Sequence, residues 1–186
     1  CQTSQQSARV LPHRHFYQLT AIDLPGGSLN EITYAYDPRG NQISETTSGV
    51  TTGSYTWDAR DRMTQAVVGG VTVGYTYNSD GLHTRQNLAG TITNYLWDER
   101  STYGDVVAEF NASNVVTASY VLGGNGLISQ KRGSTVSYYL ADVQGSTRAL
   151  TSTAAAVTDT YRYSAFGETE AQSGSTLNSY LYTGQQ

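Results

Sequence analysis

Tyr34-Ala35-Tyr36-Asp37-Pro38-Arg39-Gly40-Asn41 is the stretch that decides how this chain folds. An aromatic pair is followed at once by an acidic residue and a glycine-bearing turn. The phrase returns as Tyr55-Thr56-Trp57-Asp58, as Tyr75-Thr76-Tyr77-Asn78-Ser79-Asp80-Gly81, and as Tyr95-Leu96-Trp97-Asp98. Its second aromatic falls at 36, 57, 77 and 97, giving spacings of 21, 20 and 20 residues. A fixed period of this length marks a repeat architecture. Looser copies stand at Tyr161-Arg162-Tyr163-Ser164, with Gly167 following, and at Tyr180-Leu181-Tyr182-Thr183.

Ile32, Tyr34 and Tyr36 alternate, so they share one face of a strand. Asp37, Pro38 and Gly40 then hold the first, second and fourth positions of a type I turn. Gly40 supplies the positive φ that closes such a hairpin with a bulge. Gln42 to Thr46 leads out, Ser48-Gly49 turns, and Thr51 to Trp57 returns. Arg62 to Val68, Gly69-Gly70 and Val71 to Tyr77 repeat the scheme. Each period is thus one β-hairpin. A lone hairpin is barely stable in water, so neighbours must pair side by side. The prediction is an all-β chain, an antiparallel meander of about eight stacked hairpins wound into a spiral, shell-like sheet.

Residues 1–15 carry no periodicity and read as a tail or linker ahead of a repeat domain over 16–186. Phe16 to Asp23 reads as its first strand and Leu24-Pro25-Gly26-Gly27-Ser28 as a turn. The repeats are regular over 16–99 and irregular over 100–135, where Tyr103 to Asn111 and Val115 to Leu122 alternate and Gly123-Gly124-Asn125-Gly126 turns. The phrase resumes over 136–186.

Composition narrows the function. Only 35 of 186 residues are Leu, Ile, Val or Phe, which raises the question of disorder. The net charge of −4 is small, however, and 15 Tyr and 2 Trp supply large buried area. Lys131 is the one lysine and no basic stripe exists, so nucleic acid is not expected as a partner. No apolar run is long enough to span a membrane. Cys1 is the one cysteine, so an internal disulfide is excluded. Its position also fits lipidation of a bacterial lipoprotein, with the polar residues 2–7 as a tether.

The phrase at 34–41, at a period near 21, resembles the tyrosine–aspartate (YD) repeats of Rhs proteins. Tyr139-Leu140-Ala141-Asp142-Val143-Gln144-Gly145-Ser146-Thr147-Arg148-Ala149-Leu150 is similar to the start of the Rhs repeat-associated core. So are residues 161–168 and Tyr182-Thr183-Gly184-Gln185-Gln186. The resemblance covers about 16–186 and implies a β-sheet spiralling into a hollow shell. Bacterial members enclose a C-terminal toxin and belong to secretion systems or insecticidal toxin complexes. Animal relatives, the teneurins among them, are adhesion receptors, and some bacterial relatives sit on the cell wall. A bacterial protein, secreted or on the cell surface, is the implied setting. In the family, a Pro-rich segment with self-cleavage follows Tyr-Thr-Gly-Gln, where this sequence ends. Eight hairpins are also too few to enclose a protein, so the expectation is a piece of a longer shell or short units that pair edge to edge into filaments.

Chemistry-bearing residues are sparse. His13-Arg14-His15 offers two imidazoles, too few for a metal site, and His83 is far along the chain. Asp37, Asp58, Asn78 and Asp98 form an acidic column that suits either calcium or turn capping, and one ligand per period favours capping. Tyr36, Trp57, Tyr77 and Trp97 form a column that reads as a cross-strand ladder, or else as a sugar-binding platform. Nothing resembles a nucleophile elbow, and no helix follows the glycines at 123–126 to hold phosphate. The expectation is a non-enzymatic structural protein with no catalytic, metal or cofactor site. Its partners would be further repeats, its own copies or an enclosed toxin; the rival functions are a surface or adhesion module and a carbohydrate-binding module.

Overall fold

The computed structural model describes residues 7–13, 16–23, 31–100, 104–124 and 126–184. It divides into two compact units, Cys1–Ile92 and Thr93–Gln186. Cys1, the turn over 24–28, Tyr103, Asn125 and the imidazole of His15 lie outside the described residues.

The first unit holds β1 (Ser7–His13), β2 (Phe16–Asp23), β3 (Glu31–Tyr36), β4 (Gln42–Thr47), β5 (Val50–Trp57), β6 (Met63–Val68), β7 (Val71–Tyr77) and β8 (His83–Leu88). Each pairs antiparallel with its neighbour in sequence. The meander read from the sequence is therefore what forms. β1 is a departure, because its residues read as tail. The free N–H and C=O groups along β2 are a template for any extended segment, and an edge position tolerates Pro12.

Two turn types alternate in this unit. Ser48-Gly49, Gly69-Gly70 and Ala89-Gly90 have positive φ at both residues, the type I′ geometry whose twist matches paired strands. At the other end, Asp37 N donates to Asn41 O and Gly40 N to Asp37 O. Tyr36 then pairs with Gln42 across a register shift, which is the expected bulge. Asp58–Arg62 and Asn78–Leu82 make the same two backbone bonds.

The second unit is built from β9 (Thr91–Asp98), most of which belongs to it, followed by β10 (Asp105–Phe110), β11 (Val116–Gly123), β12 (Gly126–Arg132), β13 (Thr135–Ala141), β14 (Thr147–Thr151), β15 (Val157–Tyr163) and β16 (Thr169–Ser173). Neighbours again pair antiparallel in chain order. The stretch read as irregular, 100–135, keeps the repeat's turn geometry at Asn111–Val115, and so does Ser152–Ala156 beyond it: both make the same backbone bonds as Asp37–Asn41.

The apolar core among the described residues lies in the second unit, where Val106, Ala118, Tyr120, Tyr139, Leu150, Tyr161, Tyr163 and Tyr180 cluster. In the first unit, Ala21 and Ala66 are the buried hydrophobic residues among those described, and Tyr34, Tyr36, Tyr55, Trp57, Tyr75 and Tyr77 are half-buried. The cause is the last segment of the chain. After β16, residues 174–184 cross one face of the second unit's strands as a strap and end in a short 3-10 turn, Tyr182–Gly184. Tyr180 and Tyr182 read as a further repeat strand, yet the structure puts both in this strap. A tyrosine laid across an apolar sheet face buries more area than one on an unpaired strand.

Candidate functional site

The predicted repeat residues organise the turns and the strand ends. Asp37 Oδ1 accepts from the backbone N–H groups of Arg39 and Asn41, both at 2.9 Å. Asp58 Oδ1 accepts from Arg60 and Arg62 at 2.8 and 3.1 Å, and Asn78 Oδ1 from Asp80 and Leu82 at 3.1 and 2.8 Å. Asp98 holds Arg100 through its backbone and its guanidinium. Hydrogen bonds from the Arg62 guanidinium and backbone lower the Asp58 carboxyl to about 2. Successive turns are also tied to each other. Asn41 Nδ2 donates to Asp61 Oδ1 at 2.8 Å, and Arg62 Nη1 to Asn78 O at 3.0 Å. No cluster of His, Cys, Asp and Glu able to hold a metal ion occurs among the described residues.

The second aromatic of the first three phrases donates its polar hydrogen to the preceding strand. Tyr36 OH reaches Leu19 O at 2.6 Å, Trp57 Nε1 reaches Gln42 O at 2.8 Å, and Tyr77 OH reaches Met63 O at 2.8 Å. Gln42 and Met63 are the first residues after the previous turn. Trp57 and Tyr77 thus each bond one hairpin to the turn before it. The first aromatics, Tyr34, Tyr55, Tyr75 and Tyr95, are half-buried beside them. Tyr36, Tyr55, Trp57, Met63 and Glu45 line an open groove, which is where the sugar-platform reading would place a ligand.

Sequence reading missed the polar centre of the second unit. Glu109, Ala118 and Arg132 sit opposite one another in a row across β10, β11 and β12. Ala118 is fully buried and carries only a methyl, so the two long side chains meet above it. Arg132 Nη1 and Nη2 donate to Glu109 Oε2 and Oε1, each at 3.0 Å, a bidentate pair. Tyr120, two residues along β11 on the same face, donates its hydroxyl to Glu109 Oε1. Burial first, and then the Glu109 carboxylate, push the Tyr120 phenol well above its ordinary value.

The strap completes this centre. Arg132 Nη2 donates to Ser179 Oγ at 3.0 Å, and Gln130 Nε2 donates to Leu177 O at 3.0 Å. Tyr180 OH donates to Val106 O at 3.0 Å, and its ring meets Tyr120 edge-on at 4.9 Å. Thr147 donates from N to Leu181 O and from Oγ1 to Tyr180 O. At the strap's start, Thr176 gives both its N–H and its hydroxyl to the fully buried Asp159. Near its end, Tyr182 lies on Gly167, where any Cβ would stand 2.7 Å from the ring. Gly167 is thus required for close approach as well as for its φ of 88°. A segment held by this many directed bonds is a specific closure of the face.

No protein-family profile matches the chain. Among curated proteins it is 32% identical over 165 residues to the tRNA3(Ser)-specific nuclease WapA of Bacillus spizizenii, an alignment covering 85% of this chain and 7% of that protein. The tRNA nuclease WapA of Bacillus subtilis strain 168 aligns with the same identity and coverage. The chain therefore spans about 7% of the length of the curated relatives it matches. Among solved structures, the crystal structure of TcdB2-TccC3 superposes with a TM-score of 0.52 at 12% identity, covering 90% of this chain and 13% of that one. TcdB2-TccC3-Cdc42 gives 0.51, also at 12% identity and 90% coverage of this chain. These likenesses show a shared β-meander fold. The relatives correct one expectation: a non-enzymatic protein was read from the lack of a catalytic motif, and the named relatives are nucleases. A motif search within repeats inspects framework, and an enzyme's catalytic groups need not lie there.

Proposed function

We propose that this chain is a repeat segment of an Rhs/YD-type toxin protein and that the whole protein is a nuclease acting on tRNA. In this reading the hairpins build the wall of a shell that encloses a toxin, and the strap over 174–184 locks one face of that wall. The observation that carries it is joint. The identity of 32% extends over 85% of the chain, repeats included, and the same residues adopt the meander seen in TcdB2-TccC3. The acidic balance of the chain, with a single lysine, assigns tRNA contacts to other parts of such a protein.

The test uses the full-length protein that contains this sequence. Purified and incubated with total tRNA, it is expected to cleave tRNA, and intact tRNA after prolonged incubation refutes the nuclease reading. Limited proteolysis addresses the shell separately. The repeats should persist as a resistant body that shields a further region from protease until it is denatured. Equal digestion of both parts from the first time point refutes enclosure.

A further inference from the structure

We propose that the second unit binds an alkylammonium group in a cavity bordered by the strap. The cavity measures about 200 Å3, and its walls include Asp105, Leu122, Leu127, Tyr139, Thr147 and Tyr180. That volume is below the roughly 300–1,000 Å3 of drug-sized ligand pockets, so it suits one small group on a short stem.

The polar lining has spent its donors. Tyr139 OH donates to Asn178 Oδ1 at 2.9 Å and Tyr180 OH to Val106 O at 3.0 Å. Thr147 Oγ1 donates to Tyr180 O at 2.7 Å, and the hydroxyl of Thr183, also in the lining, donates to Tyr182 O at 2.8 Å. Lone pairs and ring faces remain for a ligand. An anion or a carbonyl would find no side-chain donor there, whereas an ammonium brings three.

The charge points the same way. No Lys, Arg or His is among the lining residues. Asp105 is partly buried, and its carboxylate makes no hydrogen bond or ion pair with the side chains of the described residues. It sits opposite Asp98 in the ladder, and Asp98 is already held by Arg100. Arg100 thus serves Asp98, and the second carboxylate, that of Asp105, stands in the cavity wall without an ion-pair partner among the described residues. A cation beside Asp105 gains Coulomb attraction in a partly dry site, and the Tyr139 and Tyr180 rings add cation–π attraction. Leu122 and Leu127 give the methylene stem an apolar wall. A lysine side chain of a polypeptide and a free alkylamine share this chemistry. The inference stands independently of the proposed nuclease.

The 186-residue chain is titrated by NMR with butylammonium chloride, with N-acetyl-lysine methylamide and with neutral n-butanol. One or both cations are expected to shift resonances of the cavity residues and to bind at least tenfold more tightly than butanol. Binding of the lysine amide alone identifies a peptide-borne lysine, and binding of both identifies any alkylamine. Asp105→Asn is expected to weaken cation binding at least tenfold without weakening butanol. Ala141→Leu, at the rim, fills the cavity and keeps the carboxylate, so it should weaken both and serves if Asp105→Asn fails to fold. Absence of cation binding, equal affinity for butanol, or unchanged affinity in a folded Asp105→Asn or Ala141→Leu protein overturns the proposal.

Discussion

Glu109→Gln tests whether the buried ion cluster holds the strap in place. In the native protein the Glu109 side chain is 8% exposed and that of Arg132 16% exposed, so water screens the pair little. The amide removes the negative charge and turns one of its two acceptors into a donor facing a guanidinium N–H. Arg132 keeps its charge and loses its bidentate partner, and a single oxygen is left to accept from Arg132, Tyr120 and Ser179. Removing one partner of a buried pair typically costs about 3–5 kcal/mol. For a chain of this length that corresponds to a fall in Tm of about 6–20 °C. Urea unfolding followed by tyrosine and tryptophan fluorescence measures the cost, and protease sensitivity within 174–184 measures release of the strap. Because burying two charges is itself costly, Glu109→Met with Arg132→Met should be less damaging than Glu109→Gln alone. A loss below about 1 kcal/mol for Glu109→Gln, or a double variant as damaging as the sum of its singles, refutes a pair that is dry and coupled.

Three further outcomes follow from single positions. Ala155 is held at a φ of 59° in a turn whose equivalents include Gly40, Gly81 and Gly145, so Ala155→Gly should raise stability by about 0.5–1 kcal/mol in urea unfolding. The buried hydroxyl of Tyr163 has no hydrogen-bond partner among the described residues, so Tyr163→Phe should leave Tm unchanged or raise it, and a clear fall would reveal a bond to that oxygen. His83 packs against the rings of Tyr75 and Tyr77, and burial lowers its pKa despite a bond to Arg85 O. The unfolded chain then binds the extra proton first, so stability should decline as pH falls from about 6.5, the free-histidine value, toward the lower folded one. His83→Gln should flatten that slope in pH-dependent melting, and an unchanged slope would assign it to other groups.

The repeat was legible because its determinants are local. Period-two alternation fixes which side chains share a face, and Asp37, Pro38 and Gly40 specify a turn by their own backbone preferences. The turns at 111–115 and 152–156 leave a weaker signal because Asn114 and Ala155 take positive φ without glycine, and Ser152 replaces the usual acid. There the paired strands impose the turn, so its composition is weak. The strap lay further out of reach. Tyr180-Leu181-Tyr182 has the alternation of a strand, and what removes it from the sheet is an apolar face made by residues as distant as Val106 and Tyr120.

The buried centre left a fainter trace that sequence can still carry. Glu109, Tyr120 and Arg132 interrupt three successive strands, and hairpin register places Glu109 and Arg132 in one row with Ala118 between them. A small residue flanked across strands by opposite charges is a pattern that alternation alone does not explain. Such a pair on an open sheet face would sit in water and contribute about 0–1 kcal/mol. The strap excludes water from it, which raises both the attraction and the cost of losing either partner. Covering the face and pairing the charges are therefore one event. Seating the strap brings Ser179 within hydrogen-bond reach of Arg132 and covers the ion pair. Closure of this face thus couples the strap to the charge pair, where the half-buried ladder of the first unit joins strand to strand through single side-chain bonds.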